Sequence, residues 1–285
     1  MNKKYVVFTM DVESFTDTEC VANSLQKIDV DLLDGFDKYM NILDKHGIKS
    51  TLFTVGSLAP KIADRLKNSI KNGHRLALHN YEHIAPMNIS LNTFKNEILK
   101  AKNKLSEMFK TDVIGFRAPF FSLDDDRLSI LRELGFKYDS SYLDFKKARH
   151  TVDFHLNEFK QHSNNIFYAD DFFEFGISKQ KILGIPFPIS GGGYVRLNNW
   201  LFVKSLIQQH LKENDYYVFY LHPFELTAQK IPHIKDLKAY DKYYLRHGVS
   251  SYGKHIEELI SMLKKLNYQF VTFEELTEIL KCETI

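Results

Sequence analysis

The feature that most constrains this chain is a strand, turn and helix that recur from one end to the other. Tyr5 to Met10 is short, apolar and β-prone. Val30 to His46 carries Val30, Leu33, Phe36, Met40 and Leu43 at helical spacing, with Gly47 where a C-cap glycine belongs. Lys49–Val55 reads as a second strand. Ser57–Asn72 reads as a second helix, with Pro60 in its first turn and Gly73 beyond its end. The same alternation gives a strand at His74–His79, a long helix at Leu91–Phe109, a strand at Val113–Ala118, a helix at Asp124–Leu134 and a strand at Phe136–Ser140. From Ser141 to Gln180 the periodicity is lost. Ile182–Ile189 is extended, Asn198–Glu213 helical, Tyr216–Leu221 a buried strand, Val249–Leu266 helical, Gln269–Phe273 a strand and Glu274–Leu280 a closing helix.

Strands alternating with helices predict an α/β fold with a parallel sheet and crossover helices. The number of units favours one distorted (β/α)7–8 barrel of TIM-like type, a single domain over residues 1–285. The first strand-to-helix turn lacks the glycine fingerprint of a dinucleotide site. The 38 Lys and Arg nearly balance the 36 Asp and Glu, and a net charge of +2 gives no case for nucleic acid or an anionic surface. No apolar run is long enough to span a membrane, and no cleavable leader is visible, so the expected location is cytoplasmic. Cys20 and Cys282 are expected to be free thiols.

In a parallel barrel the site lies at the C-terminal strand ends. Asp11 and Glu13 follow the first strand, His79 ends the third with His83 four residues on, Arg117 ends the fourth, Asp139 lies on the fifth, and His222 follows Tyr216–Leu221. Each has a bland reading as a strand end, an ion-pair donor or a satisfied core histidine; their shared placement is what gives them weight. Two histidines four apart on one turn can aim at a single point, and a carboxylate from the first strand would complete three ligands, leaving a position open for water and substrate. Zinc lowers the pKa of bound water from ~15.7 towards ~7, so a neighbouring carboxylate could take its proton. His222 could protonate a leaving group, and Arg117 could orient the base.

Phe8–Glu13, His79-Asn80-Tyr81-Glu82-His83, Arg117-Ala118-Pro119-Phe120 and Leu221-His222-Pro223 together resemble the motifs of the polysaccharide deacetylase family, the NodB-homology carbohydrate esterases, in that family's order. Gly115–Pro119, Gly135–Ser141, Gly191–Arg196 and His222–Glu225 are similar to signatures of the subgroup found in exopolysaccharide and surface-glycan clusters. The likeness is weakest from Tyr142 to Lys181. It implies the distorted barrel, and a metal-dependent hydrolase removing acetyl from an N-acetylated sugar of a glycan or a lipid-linked precursor. Asp11 would be the base, with Arg117 orienting it. Glu13, His79 and His83 would bind the metal. The backbone N–H of Phe120 would help hold the oxyanion, and His222 would be the acid. Asp139 would buttress the site, and Pro119 and Tyr194 would lie on the substrate side. Zinc is the first choice of metal, with iron, cobalt or manganese as substitutes.

The first motif departs from the family's adjacent aspartates: Val12 intervenes and the second acid is Glu13. Either Glu13 is the metal ligand, or Asp11 is and the base lies elsewhere. Asn80 stands where Ser or Thr is usual, and its side chain can still bond locally. The rivals are a related C–N hydrolase acting on a non-sugar amide or N-formyl group, and an inactive barrel that binds glycan.

Gly191–Gly193 reads as a tight turn, since no Lys-Ser or Lys-Thr pair follows for a phosphate loop, with a substrate-side loop as the second option. Trp200 reads as core. The loop with Tyr240, Tyr243, Tyr244, Arg246 and His247 reads as packing, with sugar stacking as the second option.

Overall fold

The protein is described by a computed structural model, which covers residues 3–143 and 154–284. The strands in chain order are β1 (Tyr5–Val12), β2 (Thr51–Thr54), β3 (Arg75–Leu78), β4 (Gly115–Phe116), β5 (Tyr138–Asp139), β6 (Lys160–Ser163), β7 (Ile166–Ala169), β8 (Phe172–Phe175), β9 (Lys179–Ile182), β10 (Ile185–Pro188), β11 (Tyr216–Leu221) and β12 (Gln269–Val271). The helices are α1 (Glu19–Ala22), α2 (Asp34–His46), α3 (Ala63–Lys71), α4 (Leu91–Phe109), α5 (Asp125–Glu133), α6 (Gly192–Leu197), α7 (Trp200–Glu213), α8 (Ala239–Arg246), α9 (Val249–Lys265) and α10 (Phe273–Thr284). The chain packs as two compact units, Met1–Lys49 with Lys179–Phe270, and Ser50–Ser178 with Val271–Ile285.

In the first unit β1 runs parallel to β11, from Tyr5 opposite Tyr216 to Met10 opposite Leu221. Every side chain of both strands is buried, as continuous apolar runs in a parallel pair require. Ser14 stops β1: its backbone N–H donates to Asp17 Oδ2 at 2.8 Å, and its hydroxyl caps the turn at Phe15–Asp17. β9 and β10 form an antiparallel hairpin.

The second unit carries β2, β3, β4 and β5 in parallel order, with β8 added parallel to β5 and β7 and β6 completing an antiparallel edge. The amphipathic α4 buries Phe94, Ile98, Ala101, Leu105 and Phe109 along one stripe, after Ser90 caps its start by accepting from the Thr93 N–H.

Several elements differ from the sequence reading. α2 starts at Asp34, because Leu32 takes a left-handed φ of 50° and tucks its side chain inward instead of continuing a helix. Residues 57–62 form turns and α3 starts at Ala63. The N–H groups of Gly56 and Ser57 donate to Asn80 and Tyr81, so this segment fastens the loop after β3. The readable pattern failed over β6–β8 because these are four-residue strands, too short to show a period, with no helix between them. Residues 144–153, within that stretch, lie outside the described residues. The tyrosine-rich loop contains α8, with Tyr240 and Tyr243 exposed. Trp200 is half-buried instead of core: its ring stacks on His255 at 4.9 Å and its Nε1–H donates to Glu258.

Candidate active site

In the first unit Asp11 lies near the end of β1 and Glu13 just beyond it, both buried. Alternation along an extended chain puts residues two apart on one face, so the inserted Val12 turns its own side chain into the core and leaves both acids on the other side. His222 follows β11 directly, with its Nε2 4.0 Å from Asp11 Oδ2.

The opposite edge of the His222 ring is held by Glu225. Glu225 Oε2 accepts from His222 Nδ1 at 3.1 Å and from the His222 backbone N–H at 3.1 Å. Arg196 Nε donates to Glu225 Oε1 at 2.9 Å, and both side chains are fully buried. Arg196 is itself anchored on the His247 carbonyl and flanked by the Phe224 and Tyr244 rings. Burial alone would raise the Glu225 pKa, but Arg196 and His222 outweigh it and hold it low. Burial would likewise lower His222, but Glu13, Glu225 and Asp11 outweigh it and bring the imidazole to about 9. The arrangement keeps a protonated histidine with one nitrogen fixed and the other directed at Asp11. Arg196 and Glu225 stood in the sequence as signature residues without a role; a charged residue next to glycine and aromatic neighbours was the available signal.

In the second unit His79 follows β3 and is buried, with His83 half-buried beside it. The ring centroids are 5.2 Å apart. The intervening residues do not form a helical turn. Asn80 takes φ 62°, its Nδ2 donates to Ile84 O at 3.0 Å, and its Oδ1 accepts from the Tyr81 N–H at 3.0 Å. That local bonding folds the loop back and brings the rings together. His79 Nδ1 lies 2.7 Å from the Arg117 carbonyl, to which it can only donate, so Nε2 keeps its lone pair. This is how a protein fixes a metal-ligating histidine. Two imidazoles, one with its tautomer set, are a donor set that fits a divalent ion of the zinc type.

Arg117 is buried and closes the same loop system. Its Nε donates to Ser140 O at 3.1 Å, its NH2 to Ser140 Oγ at 2.9 Å, and its guanidinium carbon lies 4.1 Å from the centre of the Phe53 ring. Pro119 is buried at the start of a tight turn in which Phe120 and Phe121 adopt φ 59° and 55°. Such angles are strained for aromatic residues, and strain of this kind clusters at functional sites. The Phe120 ring meets His83 edge-on at 4.7 Å.

Asp139 pairs across the β5–β8 ladder with Glu174, and both are fully buried. The Ser141 N–H donates to Asp139 Oδ2 at 2.8 Å and to Glu174 Oε1 at 3.0 Å, while Ser141 Oγ donates to Asp139 and accepts from the Ala118 N–H. Burial pushes both carboxyls up, Glu174 further because Asp139 faces it, so the pair retains a proton where lone carboxylates would not. Ser141 thus links Asp139 by hydrogen bonds to the Ala118 N–H in the Arg117–Phe120 turn. Glu174 was missed in the sequence, although one acid inside Phe-Phe-Glu-Phe is a signal of a buried, partnered carboxyl. Tyr194, on α6 in the first unit, is half-buried. Gly191–Gly193 is no phosphate cradle. Gly191 bridges Tyr220 of β11, and Gly192 begins α6.

Solved structures with this fold include polysaccharide deacetylases. A Mycobacterium smegmatis structure assigned to that group aligns over 100% of this chain and 93% of its own, with TM-score 0.65 and 17% identity. This establishes an α/β fold of the distorted (β/α)7–8 barrel class. A CE4 family pseudoenzyme from Bacillus anthracis aligns over 97% of this chain and 66% of its own, with TM-score 0.54 and 15% identity. Residues 1–138 match the polysaccharide deacetylase family model, and residues 140–278 match a domain of unknown function (DUF3473). The first 138 residues are therefore similar to the polysaccharide deacetylase family. Among sequence relatives, the peptidoglycan deacetylase of Helicobacter pylori is 22% identical over 38% of this chain, and chitin deacetylase 1 of Cryptococcus neoformans is 25% identical over 59%. These matches span only 37% and 34% of the two relatives' own lengths.

Proposed function

We propose that this chain is a metal-dependent hydrolase that removes an acetyl group from an N-acetylated sugar of a glycan or glycan precursor. The observation that carries the reading is the His79–His83 pair, with the His79 tautomer fixed by the Arg117 carbonyl, inside the region that matches the polysaccharide deacetylase family model. Glu13, His79 and His83 would hold the metal, zinc in the first instance because hydrolysis requires no redox change. When bound, the ion supplies Lewis acidity towards water and the acetamide carbonyl.

The chain's own groups supply the rest. Asp11 takes the proton of the attacking water, and Arg117 orients that carboxylate. The Phe120 N–H donates to the oxygen that gains charge as the carbonyl becomes tetrahedral. His222, kept protonated by its carboxylate neighbours, gives its Nε2 proton to the nitrogen as the C–N bond breaks. Acetate and a free amine leave. Glu225 and Arg196 hold the His222 ring through the transfer. Pro119 and Tyr194 stand on the substrate side. The Gly191–Arg196 and His222–Glu225 stretches, within the second matched region, support placing the chain with surface-glycan deacetylases acting on polymer or lipid-linked precursor.

The test is acetate release from N-acetylglucosamine oligomers and N-acetylated precursor sugars, scored beside formate release from N-formyl analogues. The wild type is expected to release acetate. Asp11→Asn is expected to keep its metal and to lose about 10²–10⁴ in turnover. Formate alone would redirect the reading to an N-formyl hydrolase. Glycan binding without turnover in any metal would make the chain an inactive barrel.

A further inference from the structure

The Arg117–Ala118 peptide group is bonded at both ends. Its carbonyl lies 2.7 Å from His79 Nδ1, and its N–H donates to Ser141 Oγ at 2.8 Å. A peptide unit is planar, with its C=O and N–H pointing in opposite directions, so a hold on the N–H fixes where the carbonyl aims. The turn needs such a hold. Phe120 and Phe121 follow at φ 59° and 55°, a conformation that persists only where the surroundings over-determine it. The Arg117 side chain is fastened towards the same strand. Its NH2 donates to Ser140 Oγ, and that hydroxyl donates to the Phe175 carbonyl of β8, each at 2.9 Å.

The Ser141 hydroxyl is held in turn by two buried acids. While its oxygen accepts from the Ala118 N–H, its single proton goes to Asp139 Oδ1, 2.9 Å away. Asp139 Oδ2 accepts from the Ser141 N–H at 2.8 Å. Glu174 Oε1 accepts from the same N–H at 3.0 Å and from the Tyr142 N–H at 2.9 Å. Glu174 Oε2 is buried and accepts from no donor among the described residues. A proton retained by the pair therefore belongs on Oε2, where it can face Asp139 and leave the Asp139 charge in place. The greater rise of the Glu174 carboxyl agrees with that placement. Ser141 and Glu174 both lie beyond residues 1–138, the region matched to the deacetylase family model.

We propose that Ser141 and Glu174 are positioning residues for His79, which they reach through Asp139 and the Arg117–Ala118 peptide. This role rests on the reading of His79 as a metal ligand and extends its support across the sheet, from β8 through β5 and β4 to β3. Every donor in the relay points the same way: His79 Nδ1–H to the Arg117 carbonyl, the Ala118 N–H to Ser141 Oγ, and the Ser141 O–H to Asp139. Such a chain polarises cooperatively. The Asp139 charge at its end strengthens the Arg117 carbonyl as an acceptor, sets the His79 ring and leaves Nε2 a better ligand. Glu174 keeps that charge on Asp139 and fixes the Ser141 and Tyr142 N–H groups.

The experiment reads the His79 tautomer in the metal-free full chain, by long-range proton–nitrogen correlation spectra of the histidine rings, with His79 identified by its loss in His79→Gln. The zinc Kd is measured beside it by chelator competition. The wild type is expected to show a single Nδ1–H tautomer. Ser141→Ala removes the acceptor for the Ala118 N–H and is expected to give mixed tautomers at His79 and a zinc Kd raised about tenfold or more. Glu174→Met fills similar space without oxygens and should move both readouts in the same direction. Glu174→Gln keeps Oε1 as an acceptor, puts a permanent donor in place of the Oε2 proton, and should match the wild type in both. Should Ser141→Ala not fold, Glu174→Met against Glu174→Gln carries the comparison. Folded variants that melt lower but keep the wild-type tautomer and zinc affinity would overturn the proposal, as would an Nε2–H tautomer in the wild type. A wild type that binds no zinc would end the metal reading, while the tautomer comparison would still decide whether Ser141 and Glu174 set the ring.

Discussion

At Asn80 one side chain does three things: it accepts a left-handed φ of 62°, bonds the Ile84 carbonyl and bonds the Tyr81 N–H. Ala can do none of the bonding and is strained at that angle. Asn80→Ala is expected to lower stability by about 1–2 kcal/mol, read by denaturant unfolding, and to weaken metal binding because the His79–His83 spacing relaxes. Glu174 gives a pH prediction. Its carboxyl and that of Asp139 are raised in the folded chain, so their contribution is complete below the ordinary carboxylate range and is lost as pH rises from there through the raised values, for Asp139 between about 4 and about 6. Glu174→Gln keeps an acceptor for the Ser141 and Tyr142 N–H groups and offers a permanent donor to Asp139. The variant should gain on the wild type as pH rises from about 4 towards neutral, by about 1 kcal/mol or more. A wild-type advantage growing with pH would contradict the shared proton. At this scale the sequence offered candidates where motif residues stand in a fixed local order, as at His79, His83, Arg117 and His222. It was silent where a partner comes from a distant strand. Glu174 lies 35 residues from Asp139 and meets it only through the β5–β8 ladder.

Among elements, the long apolar stripe of Leu91–Phe109 was read to the residue, because 19 residues of helical periodicity leave little ambiguity. The strand Tyr216–Leu221 was equally legible as a buried β-prone run. Short strands carry too few residues to show a period, and β6–β8 were invisible for that reason. Segments whose backbone bonds go sideways also misled: Gly56 and Ser57 serve the loop after β3 and so delay α3. Gly191 illustrates the close approach that only glycine permits. Its φ is 134°, and a Cβ there would lie 1.9 Å from the Tyr220 carbonyl oxygen. Gly191→Ala must therefore push α6 off β11. The expected loss is about 3 kcal/mol or more in unfolding free energy, together with reduced turnover, since Arg196 on α6 holds Glu225 and so the His222 ring. A loss of less than about 0.5 kcal/mol would mean that this contact is not tight in solution.

At the scale of the whole molecule, the chain packs as two compact units. The parallel α/β class was legible because crossover helices leave a repeating signature over long stretches. What joins sequence, fold and chemistry is the proposed metal. Its ligands must come from separate stretches of chain, Glu13 on one hand and His79 with His83 on the other, so binding should couple to folding. An ion at about 100 times its Kd would add roughly 2.7 kcal/mol to unfolding. The most direct test is metal content per chain after incubation with zinc and desalting, for the wild type and a His79→Ala/His83→Ala double variant. The account predicts about one ion per wild-type chain and none in the double variant, with wild-type melting raised by zinc and variant melting unmoved. Equal metal in both proteins would contradict the assignment of the histidines, and with it the hydrolytic mechanism built on them.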